Sequence, residues 1–142
     1  MAKKPSRDLE RLKRRLAAIP EAIRADMVPA VVAAAEDVAR SMRHLAPKDS
    51  GKLARSIAVT PPNGVTPPYS QPGGGNTASP LGAIITAGNT DVRYAHLVEY
   101  GSRGLKQPAQ PFFWPAFRLG RKRSAARLKR AATKAIRKTK KG

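Results

Sequence analysis

EAIRADMVPAVVAAAEDVARSMRHL, Glu21 to Leu45, is the stretch on which the fold turns. Ile23, Met27, Val31, Val38, Met42 and Leu45 recur at three-, four- and seven-residue intervals, which lines them along one side of an α-helix with many alanines beside them. Pro20 suits the first helical position, where a missing N–H is harmless, whereas Pro29 falls inside the helix and should kink it. Ala46-Pro47 stops it, because the residue before a proline is pushed out of the helical region. This is the expected main core helix. Upstream, Leu9, Leu12, Leu16 and Ile19 predict a preceding helix from Ser6, with Ser6 or Asp8 as its cap.

Downstream, Pro47-Lys48-Asp49-Ser50-Gly51 reads as a turn in which Asp49 or Ser50 can cap a short element from Lys52 to Ile57. A β segment from about Ser56 to Thr60 follows. Residues 61–80, PPNGVTPPYSQPGGGNTASP, hold six prolines and four glycines without periodicity, so they form either a mobile insertion between strands or an arm that orders against a partner. GAIITAG, 82–88, predicts a second strand. From Val92 to Tyr100 alternation and helical spacing fit equally well, leaving a strand or a short helix open. Beyond Pro111 the pattern is helical again, a basic helix at about 113–140 with Phe117, Leu128, Ala131, Ala132, Ala135 and Ile136 as a thin apolar stripe. No internal repeat is visible. The expected class is α+β, one domain over 1–142, with long N-terminal helices and the basic C-terminal helix packed on a small, mainly antiparallel sheet.

The 142 residues are 41% hydrophobic, and much of that share is alanine, so a small core extended by contacts with other chains is expected. Twenty-eight Lys and Arg against nine Asp and Glu give +19, and residues 118–142 hold twelve basic groups and no acid. Such an excess implies a polyanionic neighbour, be it nucleic acid, an acidic protein surface or anionic lipid. The absence of cysteine excludes disulfides, thiol catalysis and cysteine-ligated zinc. The basic start MAKKPSRD has no apolar region after it, and the longest apolar run, Val28 to Ala35, falls far short of the roughly 20 residues that span a bilayer, so no membrane partner is expected.

Groups suited to catalysis are sparse. His44 ends a helix, where positive charge suits the dipole, and His96 sits among apolar residues; neither has a second ligand at metal spacing, so both read as structural. Glu99 is the one acid in AHLVEYGSR and could be a general base, but a carboxylate pairing with one of the many arginines is the better expectation. Gly73 to Gly75 lacks the lysine and hydroxyl ending of a phosphate loop and reads as flexible linker. No enzyme, cofactor or metal is expected. What remains is binding, with Arg121, Lys122, Arg123, Arg127, Lys129, Arg130 and Lys134 of the basic helix as candidate polyanion contacts.

Three stretches stand in order: APKDSGKLARSI (Ala46 to Ile57), YAHLVEYGSR (Tyr94 to Arg103) and PAQPFFWPAFR (Pro108 to Arg118). Together they resemble the neck or tail-completion proteins of long-tailed bacteriophages, a family named after the tenth gene product of a lambda-like coliphage. The matching positions are Pro47, Ser50, Gly51, Leu53, Ser56 and Ile57 in the first motif. In the second they are Tyr94, Ala95, Val98, Glu99, Tyr100, Gly101 and Ser102, and in the third Pro108, Ala109, Pro111, Phe112, Pro115 and Ala116. The 61–80 arm is longer than the family usually has, and Trp114 stands where a polar or basic residue is common. The resemblance implies an α+β subunit and a ring of six copies in the virion neck, assembled in the host cytoplasm. It places that ring between the head connector or stopper and the tail-tube or tail-terminator proteins, with DNA passing through the channel and no reaction catalysed. Six copies at +19 carry +114, so acidic neighbouring rings or DNA are expected to supply counter-charge. The alternative is a free basic nucleic-acid-binding protein, and a remote third a small hydrolase or toxin built on His96 and Glu99.

The third motif also gathers all three phenylalanines and the only tryptophan. Its prolines should fix an extended approach and start the last helix, with Pro115 tolerated in the first turn. Phe112 and Phe117 are expected to plug the core. Phe113 and Trp114 cannot both point there, so at least one is expected to face a neighbouring subunit.

Overall fold

The computed structural model describes residues 20–140 together with Arg7, Asp8, Glu10, Arg11 and Arg14. Those five are helical; the rest of the helix expected from Ser6 lies outside the described residues. From residue 20 onward the order is α1 (Glu21–Leu45), α2 (Lys52–Ser56), β1 (Ala58–Thr60), β2 (Ile84–Thr86), α3 (Ala95–Tyr100) and α4 (Phe113–Lys140). Long helices beside a small antiparallel sheet make the fold α+β, as the sequence predicts.

Helix α1 keeps its predicted bounds, and Pro29 lies within it without ending it. Its buried face is Val31, Ala34, Val38, Ala39 and Met42, continued by Ala46. Ala46 donates its N–H to Met42 O at 2.9 Å and occupies the core position one turn on, whereas Leu45, expected inside, is exposed. Gly51, at φ +77°, rather than Asp49 or Ser50, is the residue that enters α2; the Ser50 hydroxyl only approaches the Lys52 amide at 3.4 Å. The left-handed turn is what glycine supplies at low cost.

Strands β1 and β2 pair antiparallel with Val59 opposite Ile85, and both side chains pack on the core. Arg43 of α1 donates to Ile57 O at 2.9 Å, tying the helix to the start of the sheet. The 61–80 stretch, expected as a mobile insertion or an arm ordered by a partner, folds on itself. Thr66 N donates to Asn76 O and Ala78 N to Gly64 O, both at 2.8 Å, closing a small hairpin of its own. Inside that hairpin the buried Thr66 hydroxyl bridges Gly73 O and Asn76 N, each at 2.9 Å. Gln71 and Ala87 exchange both backbone bonds, so the hairpin adds to the end of β2. Within the glycine run, Gly74 packs so tightly that a Cβ there would lie 2.7 Å from Tyr69 N, whereas Gly75 stands in open space at φ +72°. Side chain and backbone hydrogen bonds replace the missing apolar periodicity as the ordering force.

Helix α4 runs antiparallel along α1: Gly120 lies against Val38, Arg127 pairs with Asp37, and Lys138 with Asp26 at 3.8 Å. The packed face is Phe113, Ala116, Gly120, Leu128, Ala131 and Ala135, with Phe113, Ala116 and Ala135 buried. The expected stripe is therefore rotated: Phe117 and Ile136 are exposed, at 41% and 44%. Small residues win this face because they let two long helices approach closely, and bulky ones at the flanks are turned outward. The central cluster joins Met42, Leu53, Ile57, Val92 and Phe112, and burying each large apolar side chain contributes about 1.5–3 kcal/mol.

Candidate functional site

The three sequence motifs come together in space. The open segment between Leu45 and Lys52 supplies Pro47, Asp49 and Ser50; α3 and its lead-in supply Tyr94, Leu97 and Val98; the stretch before α4 supplies Leu105, Pro108 and Gln110. Around them, with Leu53 at the base, lies a groove of about 370 Å³. Backbone bonds fix the approach of the second and third motifs: Gln110 N donates to Val98 O at 2.8 Å, and Ser102 and Gln107 exchange amide bonds at 3.0 and 2.9 Å. Gly101, at φ +78°, is needed there, since a Cβ would sit 2.8 Å from Ala109 N and 3.0 Å from Gln107 O. Ser56 ties the first motif to the sheet. Its buried hydroxyl donates to Leu53 O at 2.6 Å and accepts from Gly88 N at 3.0 Å.

Glu99 is the second junction. Its buried carboxylate accepts from the backbone N–H of Phe112 (2.8 Å), Phe113 (2.9 Å) and Trp114 (3.1 Å), the first amides of α4. Among the described residues no guanidinium takes this place, which corrects the expected arginine pairing. The reason is local: α4 carries no acid in its first turn, and a helix start needs acceptors for its orphan amides and a negative charge for its dipole. Glu99 is an N-cap delivered from another helix. Ser56 is legible in sequence only as a motif position and Glu99 as a motif position and a lone acid; the uncapped PFFWPAF start was the available signal that an acceptor had to come from elsewhere.

From this junction the aromatic residues run outward in edge-to-face steps. Ring centroids of Phe112 and Phe113 lie 6.4 Å apart, Phe113 and Trp114 5.1 Å, and Trp114 and Phe117 5.9 Å. Phe112 and Phe113 are buried, whereas Trp114 is 37% exposed and Phe117, expected in the core, lies beside it at the surface. Trp114 Nε1 donates to Tyr100 Oη at 2.7 Å, so the indole is held in place with its polar edge satisfied. Pro115 sits in the first turn of α4 and Pro111 just before it, as expected.

A cavity of about 60 Å³ between α3 and this aromatic run is bordered by His96 and Glu99. It has room for a few waters, far less than the several hundred Å³ of a substrate pocket. Glu99 is already engaged by three amides, and His96 and His44 are exposed. Among the described residues no three His, Asp or Glu side chains gather at metal-binding distance, and no helix is long and apolar enough to cross a membrane.

The basic helix divides by partner. Arg127 is half-buried and pairs with Asp37, which also accepts from Arg40 at 3.2 Å. Arg121, Lys122, Arg123, Lys129, Arg130 and Lys134 are exposed, and a shallow trough of about 840 Å³ runs along Lys129, Arg130, Lys134 and Arg137. Helix α4, about 42 Å long at 1.5 Å per residue, thus presents a cationic outer face and a small-residue inner face.

In comparisons with curated proteins and with solved structures, nothing matches this chain. A family model described as "Bacteriophage HK97-gp10, putative tail-component" matches residues 10–101, which take in the first motif and the second as far as Gly101, leaving Ser102, Arg103 and the third motif outside. With well over half of its length covered, the chain belongs to this family of bacteriophage tail components.

Proposed function

We propose that this tail component works in the neck of the virion, as a ring of six copies that completes the tail and joins it to the head connector, between stopper and tail-tube or tail-terminator proteins, without catalysing a reaction. The observation that carries the reading is the aromatic run ending in Trp114 and Phe117, which a lone subunit leaves in water although the indole is locked in one orientation. Pre-fixed aromatic residues of this kind serve as interface anchors. Replacing Trp114 with alanine is expected to weaken ring assembly at least tenfold while costing the subunit about 1–3 kcal/mol of its own stability, so that it still folds. Sedimentation and urea unfolding of the same sample check this, and the reverse pattern would make Trp114 a packing residue.

Assembly takes place in the host cytoplasm on this reading, and it has to overcome the charge. Acidic neighbouring rings, DNA in the channel, or both are expected to neutralise the outer face of α4. Stable hexamers of the isolated protein at low salt would remove the need for counter-charge.

The exposed cations of α4 favour one second reading, a free nucleic-acid-binding protein. Truncating α4 would strip the face packed on α1, so the cleaner test is glutamine at Arg121, Lys122, Lys129 and Arg130. For a phosphate-tracking protein the dependence of log affinity for duplex DNA on log salt should lose roughly 0.9 per contact removed. A neck component should still assemble.

A further inference from the structure

Resting on the ring reading, we propose that neighbouring copies meet head to tail. The anchor formed by Trp114, Phe117 and Tyr100 of one copy seats in the motif groove of the next, with Asp49 on the groove facing Arg118 and Arg121.

The six-residue helix α3 separates the two surfaces. Tyr94, Leu97 and Val98 line the groove, whereas His96, Glu99 and Tyr100 look toward the aromatic run. A projecting anchor and a socket on opposite sides of one short helix cannot satisfy each other within a subunit. Repeated between copies they form a heterologous contact, the kind that closes into rings. The groove is about six times the volume of the cavity beneath the aromatic run, at about 370 against about 60 Å³, and Leu53, Val98, Leu105 and Pro108 give it apolar walls. Trp114 arrives with its N–H already bonded to Tyr100, so burying the indole leaves its own donor paired, and the Tyr100 O–H is free to donate to an acceptor of the groove.

Charge selects the occupant. In a chain of +19, the one charged side chain among the described residues that line the groove is an acid, Asp49, and none of the described residues forms an ion pair with it. The anchor carries the opposite sign. Arg118 stands one helical turn beyond Trp114 and Arg121 one turn beyond Phe117, both exposed and without an acidic partner among the described residues. A second copy therefore brings to the groove both the rings that fill it and the cations that its carboxylate lacks.

The chain contains no cysteine, so single introduced thiols report contacts cleanly. Full-length Asp49→Cys and Arg118→Cys, treated with a short bis-maleimide under conditions where the wild type assembles, should cross-link when mixed and not alone. The doubly substituted chain should give a ladder ending at the closed ring. As a charge test, Asp49→Arg, and separately Arg118→Asp with Arg121→Asp, should each raise the half-assembly concentration by about tenfold or more. Combining them should restore it to within about threefold of wild type. Cross-linking of either single variant with itself, or rings that form without the mixed cross-link and without charge-swap rescue, would overturn the head-to-tail contact while leaving the ring intact. A wild type that never assembles, at any salt or with polyanions added, would overturn both.

Discussion

Replacing Glu99 with alanine leaves the amides of Phe112 and Phe113, both in buried positions, and that of Trp114 without their acceptor. At about 1–3 kcal/mol for each donor left unsatisfied, partly recovered by water entry, the expected loss is about 2–4 kcal/mol in urea unfolding. Glu99→Gln keeps one acceptor oxygen and should lose about half as much. A result within a few tenths of wild type for alanine would show that water caps α4 equally well. Gly101→Ala belongs to the same scale. Its Cβ would be forced against the backbone of Ala109 and Gln107 at positive φ, so a loss of about 2 kcal/mol or more is expected. The residue chemistry was only partly readable. Glu99 stood out as a lone acid, but its partners are backbone groups separated by thirteen or more residues, which no local spacing reveals.

Helix pairing is where sequence and structure agree on the elements and differ on their rotation. The bounds of α1 follow from its apolar period and from Pro47, and α4 follows from the prolines that start it. The face of α4 that packs was not legible, because alanine and glycine carry little hydrophobic signal while Phe117 and Ile136 carry much. Close approach decided the outcome: a Cβ at Gly120 would lie 3.0 Å from Val38 Cγ2. Gly120→Leu should therefore cost about 1–3 kcal/mol through overpacking, visible in thermal unfolding. Gly120→Ala should be near neutral, its gain in helix propensity of about 1 kcal/mol offset by the tight contact. The arm shows the opposite failure. Residues 61–80 lack any period, yet Thr66, Asn76 and Gly74 order them through hydrogen bonds and close backbone packing, information carried by single polar residues rather than by pattern.

Across the whole molecule, charge is divided by face as well as by segment. Asp26, Glu36 and Asp37 of α1 are spent on Lys138, Arg43, Arg40 and Arg127, pairs that are partly exposed and worth about 0–1 kcal/mol each, so they orient the helices more than they stabilise them. The outer face of α4 is left cationic, the motif groove keeps Asp49, and the aromatic run emerges on the other side of α3. The three motifs, scattered over more than seventy residues of sequence, meet in one region that lines a groove and carries the exposed rings of Trp114 and Phe117. The most direct test is electron cryomicroscopy of the assembled virion. A closed ring of six copies of this chain between head connector and tail tube is expected, with Trp114 buried at each subunit boundary. Particles whose neck lacks the chain, or a ring in which Trp114 stays in solvent, would contradict it.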